Sequence, residues 1–160
     1  MIKHAKLLFA VLAIAVVSVG AQAASLVYNS FPDDVFSGNV VKTDTIKCML
    51  TTSAYTENRD THTKRSDVTN EVTGTGYTAG GAATTLTVTK DTTNDRLTLT
   101  IGAQTYASST ITARKQVCYK SRGGASSADE LVFVNDFGTD KTSTAGSFTV
   151  NASTIHFNTP

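Results

Sequence analysis

The chain has 160 residues, with 14 basic and 13 acidic side chains and a formal net charge of +1. That length holds one ordinary domain. A balance so close to neutral supplies no electrostatic grip on a nucleic-acid backbone, so no nucleic-acid partner is expected.

Lys3, His4 and Lys6 precede an apolar run from Leu7 to Val17, and small or polar residues follow from Ser18 to Ala23. This order predicts a secretory signal peptide over residues 1–23, cleaved after Ala23, and a single domain over 24–160. The apolar run falls short of the ~20 residues that span a bilayer. A retained anchor is therefore the weaker reading, and no membrane contact is expected once the leader is gone. Cleavage removes Lys3 and Lys6 and leaves the mature chain at a net charge of −1.

The polar residues beyond the leader are mostly Thr, Ser, Asn and Gly. Threonine's branched Cβ suits a pleated strand and loses entropy in a helix, and no stretch sustains a 3.6-residue apolar period. The predicted fold is all-β: a single antiparallel β-sandwich or jelly roll with one short N-terminal helix. That helix is placed near Phe31–Ser37. Pro32 fits a first turn, Asp33 and Asp34 complement the helix dipole, and Gly38 stops it. Leu26, Phe31, Val35 and Phe36 supply the apolar surface that docks it on a sheet.

Further along, Ile46, Cys48 and Leu50 alternate within a strand over Thr45–Leu50. Thr85–Lys90 and Arg96–Gly102 predict a hairpin around the turn Asp91–Asp95. Ile111–Lys120 reads as another strand. Leu131–Asn135 and Phe148–Phe157 close the set, with Gly138–Gly146 read as the loop between them.

Residues 55–81 alternate poorly and concentrate charge at Glu57, Arg59, Asp60, Lys64, Arg65, Asp67 and Glu71. They predict a long loop held out in solvent, of the kind that carries binding on a rigid scaffold. In that reading Arg59, Asp60, His62, Lys64 and Arg65 contact a neighbouring subunit, and Tyr77 packs the returning chain against the sandwich. The glycines between Gly74 and Gly81 precede a predicted strand rather than a helix, and no Lys-Ser or Lys-Thr follows, so they make no phosphate cradle.

Beyond the leader the histidines are His62 and His156, and no Gly-x-Ser-x-Gly motif accompanies them. His62 reads as part of a solvated charged loop, and His156 as an outward-facing strand residue. No spacing converges three metal ligands. Asp91, Asp95, Asp136 and Asp140 read as turn acids. No catalytic, cofactor-binding or metal-binding residue is expected, and no cofactor. Cys48 and Cys118, an even pair in a chain marked for export, favour a disulfide; packed free thiols are the alternative.

A resemblance emerges from motifs taken together. In order they are Leu26-Val27-Tyr28-Asn29-Ser30-Phe31, Asp33-Asp34 with Gly38, the strand Thr43–Leu50, Asp60-Thr61-His62 running on to Val68, and Glu71–Gly81. Then come Thr93-Asn94-Asp95-Arg96, the strand Thr110–Lys120, and Asp136-Phe137-Gly138 through Ala145–Thr149. From Leu26 onward the chain resembles a family of small virion structural proteins of tailed bacteriophages, similar to capsid decoration or cement proteins. The resemblance implies a non-enzymatic subunit and an oligomer, with protein partners in a repeated lattice (a capsid or tail protein, or further copies of itself), located in the virion.

Three departures bear on this. The leader is an addition to the family pattern. Cys48 and Cys118 stand where members carry apolar residues, and their joint appearance with a signal peptide supports disulfide and export together. No Trp stands near Thr105-Tyr106. The competing expectation is a secreted or cell-surface protein, an adhesin or filament subunit exported to the periplasm or extracellular space, that uses the same β domain.

Overall fold

A computed structural model describes residues 16–19 and 24–158. Most of the expected leader, with the cleavage position at Ala23, lies outside the described residues. The strands are β1 (Val16–Val19), β2 (Ala24–Val27), β3 (Ile46–Thr51), β4 (Ala82–Thr84), β5 (Leu86–Asp91), β6 (Arg96–Ile101), β7 (Gln104–Lys120), β8 (Leu131–Val150) and β9 (Ser153–Asn158). The α-helix α1 spans Ser30–Phe36.

Two sheets pack as a sandwich. The larger runs β1-β8-β7-β3-β4, and β2 joins it on β8. The smaller runs β5-β6-β9. All pairings are antiparallel except β1, which lies parallel to β8 with Val16 opposite Ser147 and Val19 opposite Val150. Four residues inside the predicted leader thus sit on the sheet edge.

Cross-strand partners share a face, so the register fixes the core. Cys48, Cys118 and Phe133 stand in one row facing the smaller sheet, packed with Ile46, Leu99, Ile101 and Phe31. The next row, Met49, Val117 and Val134, faces the other way and packs with Tyr28, Tyr55, Tyr119 and Leu131. Val132 is an extra residue between Phe133, opposite Cys118, and Leu131, opposite Tyr119. Such a bulge turns its side chain out of step, and it joins the inter-sheet core.

The predicted hairpin is present, with Leu86 opposite Ile101 and Asp91 opposite Arg96. Asp91 organises its turn, accepting from the Thr93 and Asn94 backbone N–H groups and from Arg96 Nε at 2.8 Å. Helix α1 begins one residue before its expected start. Gly38, at φ +74°, supplies the left-handed residue beyond its end.

One expectation is corrected. Gly138–Gly146 is not a loop: β8 is a single strand of 20 residues that runs through it, and β9 follows after the turn at Asn151-Ala152. Its partner there is the equally polar first half of β7, which extends to 17 residues. Thr112 meets Thr142 at 2.9 Å, Thr105 meets Thr149 at 3.1 Å, and Ser109 meets Ser143 at 2.7 Å. Hydroxyl pairs and three register shifts carry the ribbon where apolar alternation is missing.

Cys48 and Cys118 form a disulfide between directly opposed residues of β3 and β7, buried in the core. It closes a loop with a sequence separation of 70. Replacing both cysteines with alanine is expected to lower folding stability by roughly 4 kcal/mol, because the unfolded chain regains the freedom of that loop. Urea denaturation of the oxidised protein and the double variant measures the difference; equal midpoints would show that the bridge adds nothing to the packing.

Candidate functional site

The charged 55–81 segment is laid over the larger sheet rather than held out in solvent. The second apolar face of that sheet draws it in. Tyr55 is fully buried, and its hydroxyl meets Tyr28 Oη at 2.8 Å and His62 Nδ1 at 3.1 Å. His62 therefore stacks on Tyr55 instead of standing free in a solvated loop. Burial raises the pKa of both tyrosines, so both stay neutral hydrogen-bonding groups.

The predicted contact residues are engaged within the chain. Arg59 Nε donates to Val27 O at 2.8 Å, and Asp60 accepts from Asn29; both side chains remain on the surface. Lys64 pairs with Glu130 at 3.1 Å. Arg65 pairs with Asp129 at 2.7 Å, its guanidinium 5.0 Å from the Tyr119 ring centre. The two carboxylates are buried, with side chains only 4% and 2% exposed, so Lys64 and Arg65 serve as their counter-ions. Tyr77 does pack the returning chain: it donates to Glu71 at 2.7 Å, accepts from Leu50 N at 2.9 Å and lies against Tyr106.

The glycines at the end of this segment let the backbone graze the sheet. A Cβ on Gly81, which sits at φ +69°, would come within 1.9 Å of Cys48 O. A Cβ on Gly74 would lie 2.4 Å from Thr110 O. Close approach, not ligand binding, accounts for both.

The surface left open lies elsewhere. Leu86, Val88, Leu97, Leu99, Ile101, Ile155 and Phe157 share the inner face of the smaller sheet. The larger sheet covers Leu99 and Ile101 on the central strand β6, but Val88, the partner of Leu99 on the edge strand β5, is exposed. Helix α1 and the following residues 38–42 approach that open edge without closing it. Phe31 and Val40 are buried there, whereas Val35, Phe36 and Val41 are exposed. Val35 and Phe36 were expected to help dock the helix; Phe31 does so alone among the three, and Phe36 is 91% exposed.

The result is a groove of about 450 Å³ walled by Phe31, Val35, Phe36, Val41, Leu97 and Phe157, among others. Eleven of its twelve lining residues are apolar, and Lys42 is the one charged side chain among them. The size lies within the range of binding sites. All four exposed large apolar side chains among the described residues, Val35, Phe36, Val41 and Val88, belong to this single groove. Sequence reasoning missed it because each of these residues reads individually as core. The signal available was the surplus of apolar residues in and just after a seven-residue helix.

Comparison with family models, with curated proteins and with solved structures finds no match to the chain.

Replacing Lys64 and Arg65 together with serine is expected to destabilise the fold by roughly 3 kcal/mol, since it leaves the buried Asp129 carboxylate without its counter-ion, whereas Glu130 keeps Arg122 at 2.8 Å. Serine at Arg59 alone should shift the thermal midpoint little, because its side chain is solvent-facing. Thermal melts of the two variants check the contrast.

Burial by itself would raise the Glu130 carboxyl, but hydrogen bonds from Arg122 and Lys64 outweigh it and hold the pKa down at about 2. A depressed carboxylate pKa adds stability above the unfolded-state value near 4.5, and that stability is lost as pH falls towards 2. Glu130→Gln is therefore expected to lower stability at pH 7 and to flatten its fall between pH 5 and 2. Denaturation across that range should show both effects; an unchanged acid limb would mean that other carboxylates govern it.

Proposed function

We propose that the chain is a non-enzymatic structural subunit of a repeated protein assembly, and that this assembly is a phage-like virion, as the resemblance to virion structural proteins implies. The role within it is capsid decoration or cementing. The observation that carries the docking part of this reading is the apolar groove beside α1. The sandwich gains nothing for its own stability by standing Phe36 in water. Contiguous exposed apolar surface with a polar surround is the mark of a protein contact. A small ligand filling the groove would leave Phe36 largely uncovered, whereas a protein surface covers it, and aromatic anchors of this kind dominate interface energies.

A second reading is supported by the disulfide: a secreted or cell-surface filament or adhesin subunit. Disulfides persist in oxidising compartments, and the predicted leader points the same way. Both readings use the groove as the contact surface. They differ in where the assembly is found.

Mass spectrometry of purified particles and of shed surface material from the producing cells decides between them. Near-stoichiometric chain in particles that carry a capsid protein supports the virion. Chain confined to envelope or shed filaments supports the second reading. In either setting, Phe36→Ser is expected to cut incorporation at least tenfold without lowering the amount of folded protein. Undiminished incorporation would refute the groove as the docking surface.

A further inference from the structure

Resting on the reading of the groove as a docking surface, we infer that its partner is a second copy of this chain, with Phe36 of each copy seated in the groove of the other. The complement must offer a bulky apolar knob. Among the described residues, Val35, Phe36, Val41 and Val88 are the only large apolar side chains exposed enough to serve, and Phe36 stands furthest out at 91% exposure. The knob and the hole are therefore on the same surface of the same molecule. That is the condition for a two-fold contact, in which one patch meets itself and each residue pairing occurs twice.

Charge supports the same partner. Asp33 lies three residues before Phe36, so the two are neighbours on the surface of α1. Its carboxylate is exposed and meets no hydrogen bond or ion pair among the described residues. Lys42, on the groove wall, likewise has no acidic partner among them. The knob thus carries a negative charge beside it, and the hole that receives it carries a positive one. A second copy brings Asp33 towards Lys42 twice over, while a neutral or basic partner would leave the lysine unmatched. The nearby acidic groups are already used: Asp44 pairs with Lys120 at 3.0 Å, and Asp91 pairs with Arg96 at 2.8 Å. Lys90, opposite Leu97 at the open edge of the smaller sheet, adds a further positive charge near the hole.

The test is sedimentation equilibrium of the folded full-length chain and of its variants, with circular dichroism to confirm that each variant folds. Phe36 supports no part of its own core, so Phe36→Ser should fold normally and raise the dimer dissociation constant about a hundredfold, two phenylalanines being lost per contact. Asp33→Lys and Lys42→Glu should each weaken the dimer, more at low salt than at high salt. The double variant Asp33→Lys/Lys42→Glu should restore it, because the exchanged charges again face each other. That recovery is a readout a general loss of stickiness does not give.

A chain that stays monomeric at every concentration overturns self-association. It leaves the docking reading standing if Phe36→Ser still lowers incorporation into particles or filaments, the partner then being foreign. A dimer indifferent to Phe36→Ser, or a double charge exchange that fails to recover, overturns the assignment of the contact to this groove.

Discussion

Met49, Val117 and Val134 project from one face of the larger sheet, while Cys48, Cys118 and Phe133 project from the other. A sheet whose centre is apolar on both faces needs two covers, and most of the remaining structure answers that requirement. The smaller sheet and Phe31 cover one face. The 55–81 segment, with Tyr55 as its main anchor, covers the other. Backbone crossing a sheet in this way brings polar groups with it, and buried polar groups must find partners. Hence the tyrosine pair, the Asp67 carboxylate accepting from the Thr63 and Lys64 N–H groups, and the ion pairs to Asp129 and Glu130.

The same constraint explains which parts of the fold were legible in the sequence. β6 carries period-two apolar alternation over its whole length, and β3 and β5 carry it over most of theirs, with Ile46, Cys48 and Leu50 in one and Leu86 and Val88 in the other, so their positions and the hairpin were readable. The two cysteines fell on strands that could be placed, and their even number in a chain marked for export favoured the pairing, which the register of β3 and β7 makes possible by setting them directly opposite. By contrast, the middle of β8 contains Gly138, Thr139, Asp140, Lys141, Thr142, Ser143 and Thr144, which carry no apolar pattern. That stretch is a strand because β7 presents threonines and serines opposite it. The hydroxyl pairing is a relation between two segments and is visible in neither alone.

Charge in the 55–81 segment misled for a related reason. Lys64 and Arg65 look solvent-seeking until Asp129 and Glu130 are placed beneath them, some sixty-five residues away in the chain. Local composition gives the number of charges but not their partners. Tyr77 was legible because an aromatic residue inside a glycine-rich stretch has little to do except pack, and it does so against Tyr106 and the β3 backbone.

The groove is the complement of the double-cover requirement. The smaller sheet is apolar along its inner face from Leu86 and Ile101 to Phe157, but the larger sheet reaches only part of it. A fold shaped by stability alone could close the gap with the short helix already beside it, by turning Val35 and Phe36 inward. Instead α1 buries Phe31 and presents Phe36 to water, while Asn39 is held to Asp34 by its backbone N–H and its side chain, and Val40 N also donates to Asp34 O. Those bonds pin the chain just beyond the helix, so the helix is not free to roll over the groove. An exposed phenylalanine is a solubility cost in any chain of near-zero net charge. Its fixed position beside an unfilled apolar wall gives that cost a physical return only when another protein surface covers both.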